Sequence, residues 1–154
     1  MLRHPNIVLF LGAVTEPPEL CLVTEFVERG NLFDLLHKED GRSNGTVLST
    51  NAVITMALDI CRGMAYLHGF QPPLLHRDLK SSNLLYGPGG SIKICDFGLS
   101  TVANASGSTE AQGGSKGTVC GTAQWMAPEI LQHEMFTNAA DVYSFGIVLG
   151  EIVY

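Results

Sequence analysis

At 154 residues, with 45% hydrophobic and 16% charged residues, the chain has the size and composition of one globular domain rather than a disordered segment. Its formal net charge of −6 supplies no basic footprint, which excludes nucleic acid and an anionic membrane surface as partners. The cysteines Cys21, Cys61, Cys95 and Cys120 lie far apart with no C-x-x-C pair, so they are expected to be reduced in a cytoplasmic protein.

Met1 to Asn6 carries His4-Pro5-Asn6, and the residue before a proline is pushed out of the α region. The chain is therefore expected to begin at the tail of a helix, and no signal peptide is expected there. Ile7–Val14 and Glu19–Phe26 are apolar runs joined by Thr15-Glu16-Pro17-Pro18, the spacing of an antiparallel strand pair. Asn31 is a candidate N-cap for a short helix burying Leu32, Phe33, Leu35 and Leu36. Lys38–Thr46 reads as a polar loop. Ser49 or Thr50 then caps a longer helix, in which Val53, Met56, Ala57, Ile60, Met64 and Leu67 recur at helical spacing until Gly69 and Pro72-Pro73 end it.

Next comes Leu74-Leu75-His76-Arg77-Asp78-Leu79-Lys80-Ser81-Ser82-Asn83-Leu84-Leu85, a polar cluster between two runs of buried-strand length. Desolvating so many charged groups is costly unless they pair or hold a ligand. Gly87-Pro88-Gly89-Gly90 turns the chain back, and Ser91–Phe97 returns as the partner strand with Asp96 at its end. Two Asp and one Asn at strand ends, with a Lys two residues after the first Asp, suit a Mg-nucleotide site. Carboxylate and amide oxygens hold Mg²⁺, one carboxylate takes a hydroxyl proton, and the ammonium balances phosphate charge. Ser100–Gly121 is rich in Gly, Ser, Thr and Ala and alone would pass as a linker. The last apolar run, Val142–Tyr154, contains Ser144 and Glu151 and is too short to span a bilayer, so no membrane span is expected.

His76-Arg77-Asp78-Leu79 with Asn83, then Asp96-Phe97-Gly98, then Ala127-Pro128-Glu129, resemble in order the H-R-D-L-x-x-x-N, D-F-G and A-P-E elements of protein kinases. The resemblance implies an α+β, protein-kinase-like fold in part: the fourth and fifth strands of the small lobe with the hinge (residues 1–30), then the mainly helical large lobe through its helix F (31–154), with the activation segment at 96–129. It implies ATP-dependent phosphoryl transfer with ATP and Mg²⁺ as cofactors. Asp78 is then the catalytic base, Lys80 contacts the γ-phosphate, and Asn83 and Asp96 are the metal ligands, so that Asp78, Lys80 and Asn83 form the catalytic set. Thr24 falls at the gatekeeper position behind the nucleotide, and the backbones of Glu25 and Val27 meet the adenine edge. Leu85, with Lys80, Asn83 and Asp96, completes the expected nucleotide contacts.

The resemblance further stacks His76 on Phe97 in a hydrophobic spine continued by Phe10, and tethers the His76 backbone to Asp141. Arg77 implies switching by phosphorylation of the activation segment, by an upstream kinase or in its own reaction, with Thr101, Ser106, Ser108, Thr109, Ser115 and Thr118 as acceptors. Lys80, and a Thr122 that bridges it to Asp78, are serine/threonine-kinase features. Trp125-Met126-Ala127-Pro128-Glu129 and Asp141–Gly146 have a tyrosine-kinase flavour. That mixture resembles the tyrosine-kinase-like group, with its Raf-like and mixed-lineage MAP kinase kinase kinases. The expected partners are protein substrates phosphorylated on serine or threonine, downstream kinases among them. Residues 1–154 hold no G-x-G-x-x-G loop and no lysine before Lys38. The expectation is therefore a kinase fragment with exposed edges on its first two strands; the alternative is an inactive, truncated kinase-like chain acting as a binding module.

Overall fold

The computed structural model describes residues 2–37, 48–97, 100–103, 108–109 and 122–154. The first strand, β1 (Phe10–Val14), pairs antiparallel with β2 (Cys21–Thr24), placing Phe10 opposite Thr24 and Val14 opposite Cys21. Both strands are shorter than the apolar runs that contain them. Pro17 and Pro18 have no N–H to give to a ladder. The apolar faces are open, as expected: Leu22 is 76% exposed and Phe26 86%.

The approach to β1 is not a helix tail. Pro5-Asn6 forms a turn, closed by the Ile7 amide on the His4 carbonyl at 3.1 Å. The Asn6 amide donates to His4 Nδ1 at 3.1 Å, and the His4 ring stacks on Tyr66. The Asn6 side chain donates to the Ile92 carbonyl at 2.9 Å, while the Val8 amide reaches the Ile94 carbonyl and the Ile94 amide the Asn6 carbonyl, each at 2.9 Å. These bonds, not helix propensity, fix the segment.

Asn31 caps α1 (Leu32–His37), its Oδ1 accepting the Asp34 amide at 2.8 Å. The expected burial of Phe33 is not found. Phe33 lies on the outer side of this short helix and stacks on His37 at 4.3 Å. Helix α2 (Thr50–His68) is capped by Ser49, whose Oγ accepts the Ala52 amide at 3.2 Å. It buries Met56, Ile60, Met64 and Leu67. Gly63 lets it approach the chain closely: a Cβ there would stand 3.0 Å from the Asn6 carbonyl oxygen. Gly69 ends the helix with ordinary right-handed dihedrals, φ −75°.

The two leucine pairs form short strands, β3 (Leu74–Leu75) and β4 (Leu84–Tyr86). Strand β4 pairs antiparallel with β5 (Ile92–Ile94), Leu84 opposite Ile94, around a turn where Gly89 and Gly90 take φ of 70° and 84°. Strand β3 pairs with β6 (Thr101–Val102), and β7 (Ser108–Thr109) with β8 (Phe136–Thr137). Before β8 lies α3 (Pro128–Leu131), and after it α4 (Asn138–Val153), capped by Thr137 Oγ1 on the Ala139 amide at 3.2 Å. Ile60 and Leu67 of α2, Leu84, Ile94 and Val148 of α4 are fully buried in one cluster. Each contributes roughly 1.5–3 kcal/mol of burial. Among the described residues no helix is long and apolar enough to cross a membrane.

Candidate active site

The β4–β5 hairpin brings the expected metal-binding residues to one end of a two-strand unit. Asn83 precedes β4 and Asp96 follows β5, and the Cys95 amide donates to the Asn83 carbonyl at 2.9 Å. Asn83 Nδ2 donates to the Asp78 carbonyl at 2.8 Å and to Asp78 Oδ2 at 3.1 Å. Its amide donors are thereby used on Asp78, which leaves Oδ1 as the acceptor available to a cation. Asp96 is exposed and has a left-handed backbone, φ 60°, as does Arg77 at 70°. Such conformations cost of order 1–3 kcal/mol in non-glycine residues and persist where surrounding bonds enforce them.

For Arg77 those bonds are identifiable. Asp141, at the start of α4, accepts the His76 amide on Oδ2 and the Arg77 amide on Oδ1, each at 2.9 Å. The expected tether of His76 to Asp141 is therefore present. His68 Nε2 also meets Asp141 Oδ2, at 2.8 Å. The fully buried His76 ring donates from Nε2 to the Cys95 carbonyl at 3.0 Å and accepts the Asp78 amide on Nδ1 at 3.3 Å. One nitrogen donating and the other accepting is the pattern of a neutral imidazole. Burial pushes the His76 pKa below its ordinary value, against the opposing charges of Asp141, Asp78 and Asp96. His76 and Phe97 rings meet at 5.4 Å, tilted rather than stacked flat. Phe10, the expected continuation, is 43% exposed on the open hairpin.

Asp78, Lys80 and Thr122 close a triangle. Lys80 Nζ lies 2.7 Å from Asp78 Oδ2 and donates to Thr122 Oγ1 at 2.8 Å. The Thr122 amide donates to Asp78 Oδ1 at 3.2 Å and its hydroxyl does so at 3.4 Å. The Thr122 bridge expected from sequence is present. Arg77, Asp78, Thr122 and Phe136 line a small cleft of about 10 Å³, and the Arg77 guanidinium lies 5.6 Å from the centre of the Phe136 ring.

The residues expected against adenine behave differently. Thr24 is exposed at the end of β2, so within these residues it backs onto no core. Glu25 points its carboxylate at Leu9 and Lys93, Val27 is buried, and Leu85 pairs with Lys93. The Cys95 thiol is pushed up to about 11 by burial and by Asp96, which makes it unreactive at neutral pH. Gly98, and the acceptors Ser106, Ser115 and Thr118, lie outside the described residues, as does most of the expected activation segment.

Sequence reasoning missed one supporting residue. Glu151 of α4 accepts Ser81 Oγ at 2.8 Å and Trp125 Nε1 at 2.7 Å, and Ser144 Oγ donates to the Trp125 carbonyl at 2.7 Å. Asp141, Ser144, Val148 and Glu151 recur at helical spacing along α4. Polar residues at that spacing in an apolar helix were the available signal.

The protein tyrosine and serine/threonine kinase family matches this chain over residues 1–154. The chain belongs to that family. It is 49% identical over 151 residues to the serine/threonine-protein kinase CTR1 of Arabidopsis thaliana, covering 98% of this chain and 17% of that protein. Over 151 residues it is 44% identical to the serine/threonine-protein kinase STY46 of Arabidopsis thaliana, covering 98% of this chain and 24% of that protein. With the probable serine/threonine-protein kinase drkA of Dictyostelium discoideum it shares 44% over 150 residues, 97% of this chain and 21% of that protein. The chain thus spans a quarter or less of the length of these relatives. The α+β, kinase-like fold expected from sequence stands, and these relatives' names carry the serine/threonine side of the mixed signature.

Proposed function

We propose that this chain is the part of a serine/threonine kinase that holds the base and the metal ligands for phosphoryl transfer from ATP to protein hydroxyls. The observation that carries the reading is the closed Asp78–Lys80–Thr122 triangle, buttressed by Asn83. Asp78 Oδ1 and Oδ2 are both oriented by fixed donors, so the carboxylate stands ready to align a substrate hydroxyl and accept its proton. Phosphoryl transfer needs little covalent help from protein, and positioning with charge neutralisation carries the rate. Lys80, held between Asp78 and Thr122, presents its ammonium to the γ-phosphate.

The donor set fits Mg²⁺, which is held by one or two protein oxygens together with substrate phosphates. Asn83 Oδ1 and the Asp96 carboxylate are those oxygens. When bound, the cation neutralises charge on the transferring phosphoryl group. The backbones of Glu25 and Val27 take the adenine edge, with Thr24 and Leu85 beside it, and residues 1–30 and 31–154 belong to the small and large lobes.

Protein substrates bearing serine or threonine, downstream kinases among them, and an activating phosphorylation paired with Arg77 complete the reading, with action in the cytoplasm. A second reading, an inactive kinase-like chain that binds kinase partners, draws support from the open apolar faces of β1 and β2. The deciding experiment is Asp78→Asn in the whole protein. On the first reading phosphotransfer is abolished while Mg-ATP binding is retained. Retained activity would remove Asp78 from its role as base.

A further inference from the structure

Glu25 enters the proposed site through its backbone, yet its side chain is engaged elsewhere. Glu25 Oε1 accepts the Leu9 amide at 2.7 Å and Lys93 Nζ at 2.8 Å, and the Glu25 amide donates to the Leu9 carbonyl at 2.9 Å. One carboxylate oxygen therefore joins three segments: the entry to β1, the exit from β2, and β5. Lys93 lies on β5, the strand that runs into Asp96.

The base of the β1–β2 hairpin has two attachments to β5. On the β1 side, Asn6 and Val8 bond the backbone of Ile92 and Ile94. On the β2 side the attachment is Glu25–Lys93. Two attachments fix an angle, whereas one leaves a hinge. The hairpin faces above this base are exposed, so at the level of Glu25 the ion pair is the second attachment; the chain is next held beyond it, by the buried Val27 and by the Tyr86 amide on the Gly30 carbonyl at 2.8 Å. Both partners are partly buried, 28% and 23% exposed, so solvent screens the pair only in part.

We propose that the Glu25–Lys93 ion pair is a positioning device that sets residues 25–27 at a fixed distance from the strand bearing Asp96, and so tunes nucleotide affinity without touching nucleotide. This rests on the function proposed above, in which residues 25–27 meet adenine and Asp96 meets the phosphates through the cation. Both ends of one ligand must be satisfied together, so freedom at the hinge lowers affinity. Lys93 is then a positioning residue, not a catalytic one. Burial works to raise the Glu25 carboxyl, but the bonds from Lys93 and the Leu9 amide, with the Lys93 charge, outweigh it and hold the group below its ordinary range. The pair is thus intact throughout neutral pH.

The test is calorimetric Mg-ATP binding to the whole protein carrying Lys93→Met, Lys93→Arg, Glu25→Gln, and Glu25→Gln with Lys93→Met. Thermal unfolding establishes that each variant is folded. A coupled, partly buried pair predicts an affinity for Mg-ATP about three- to ten-fold weaker in Lys93→Met. Lys93→Arg restores it to within about two-fold, because the charge and reach are kept. The double variant binds no more weakly than Lys93→Met alone, and the KM for a peptide substrate does not move. Equal affinity in Lys93→Met and the unaltered protein, or effects that add in the double variant, would overturn the proposal and leave the proposed function standing. An unaltered protein that binds no Mg-ATP would overturn both.

Discussion

Asp141 holds Arg77 in a left-handed backbone conformation from 64 residues away in sequence, with Oδ1 2.9 Å from the Arg77 amide. The other oxygen takes the His76 amide and His68. This one buried carboxylate therefore ties the loop bearing Asp78 to the helix beneath it. Asp141→Ala leaves one buried and one part-buried amide without their acceptor and removes what enforces φ 70° at Arg77. The expected loss of stability is about 3–5 kcal/mol. Urea unfolding of the whole protein checks this, and a loss under about 1 kcal/mol would contradict it.

Thr122 is small, half-buried and central to the triangle. Removing its hydroxyl breaks the link to Lys80 at 2.8 Å, while its amide still reaches Asp78. A hydrogen bond to a charged group is worth about 1.5–3 kcal/mol, so Thr122→Val is expected to lower kcat about ten-fold or more. Thr122→Ser keeps the hydroxyl and should recover most of the rate. Steady-state kinetics decide it: a rate in Thr122→Val equal to that in Thr122→Ser would show that the hydroxyl link to Lys80 does not carry the effect.

The readable part of this site was its order along the chain. His76, Asp78, Lys80, Asn83 and Asp96 carry chemistry in their residue types, and a hairpin signal at Gly87–Gly90 shows which of them meet. The reading even extended across 42 residues, to Thr122, because a family pattern linked the positions. The failures share a cause. The burial of Phe33 and the helix expected before Pro5 were both inferred from local spacing. The segment before β1 is instead fixed by Tyr66, Ile92 and Ile94 far along the chain, and Phe33, on the outer side of a helix of under two turns, stacks on His37. Glu151 escaped notice because one carboxylate in an apolar helix reads as an exposed charge until Ser81 and Trp125 are placed beside it.

The buried neutral His76 sets an acid limit. Its folded pKa lies below its ordinary value of 6.5, chiefly through burial. As pH falls through 6.5 the unfolded chain binds a proton that the folded chain refuses, so stability declines; above 6.5 this group contributes no slope. Glu25, also lowered when folded, adds a second decline as pH falls below 4.5. Unfolding free energy measured between pH 8 and pH 5 should fall below about pH 6.5, and His76→Phe should flatten that part of the profile. An unchanged slope in His76→Phe would assign the effect to another group.

The 154-residue chain by itself should transfer phosphate no faster than background. It contains no G-x-G-x-x-G loop to cover the phosphates and no lysine ahead of residues 25–27. The open strands, with Leu22 at 76% and Phe26 at 86% exposure, also favour self-association of that chain. Light scattering and a phosphotransfer assay on residues 1–154 check both. A monodisperse chain with robust, Asp78-dependent activity would contradict the assignment of these roles.

The most direct test of serine/threonine phosphoryl transfer through Asp78 is the identity of the residue labelled. The whole protein and its Asp78→Asn variant are each incubated with γ-labelled ATP, Mg²⁺ and a mixed protein substrate, and the product is hydrolysed to its phosphoamino acids. Label on serine or threonine from the unaltered protein, and none from Asp78→Asn, is the predicted result. Label confined to tyrosine, or label that survives Asp78→Asn, would contradict it.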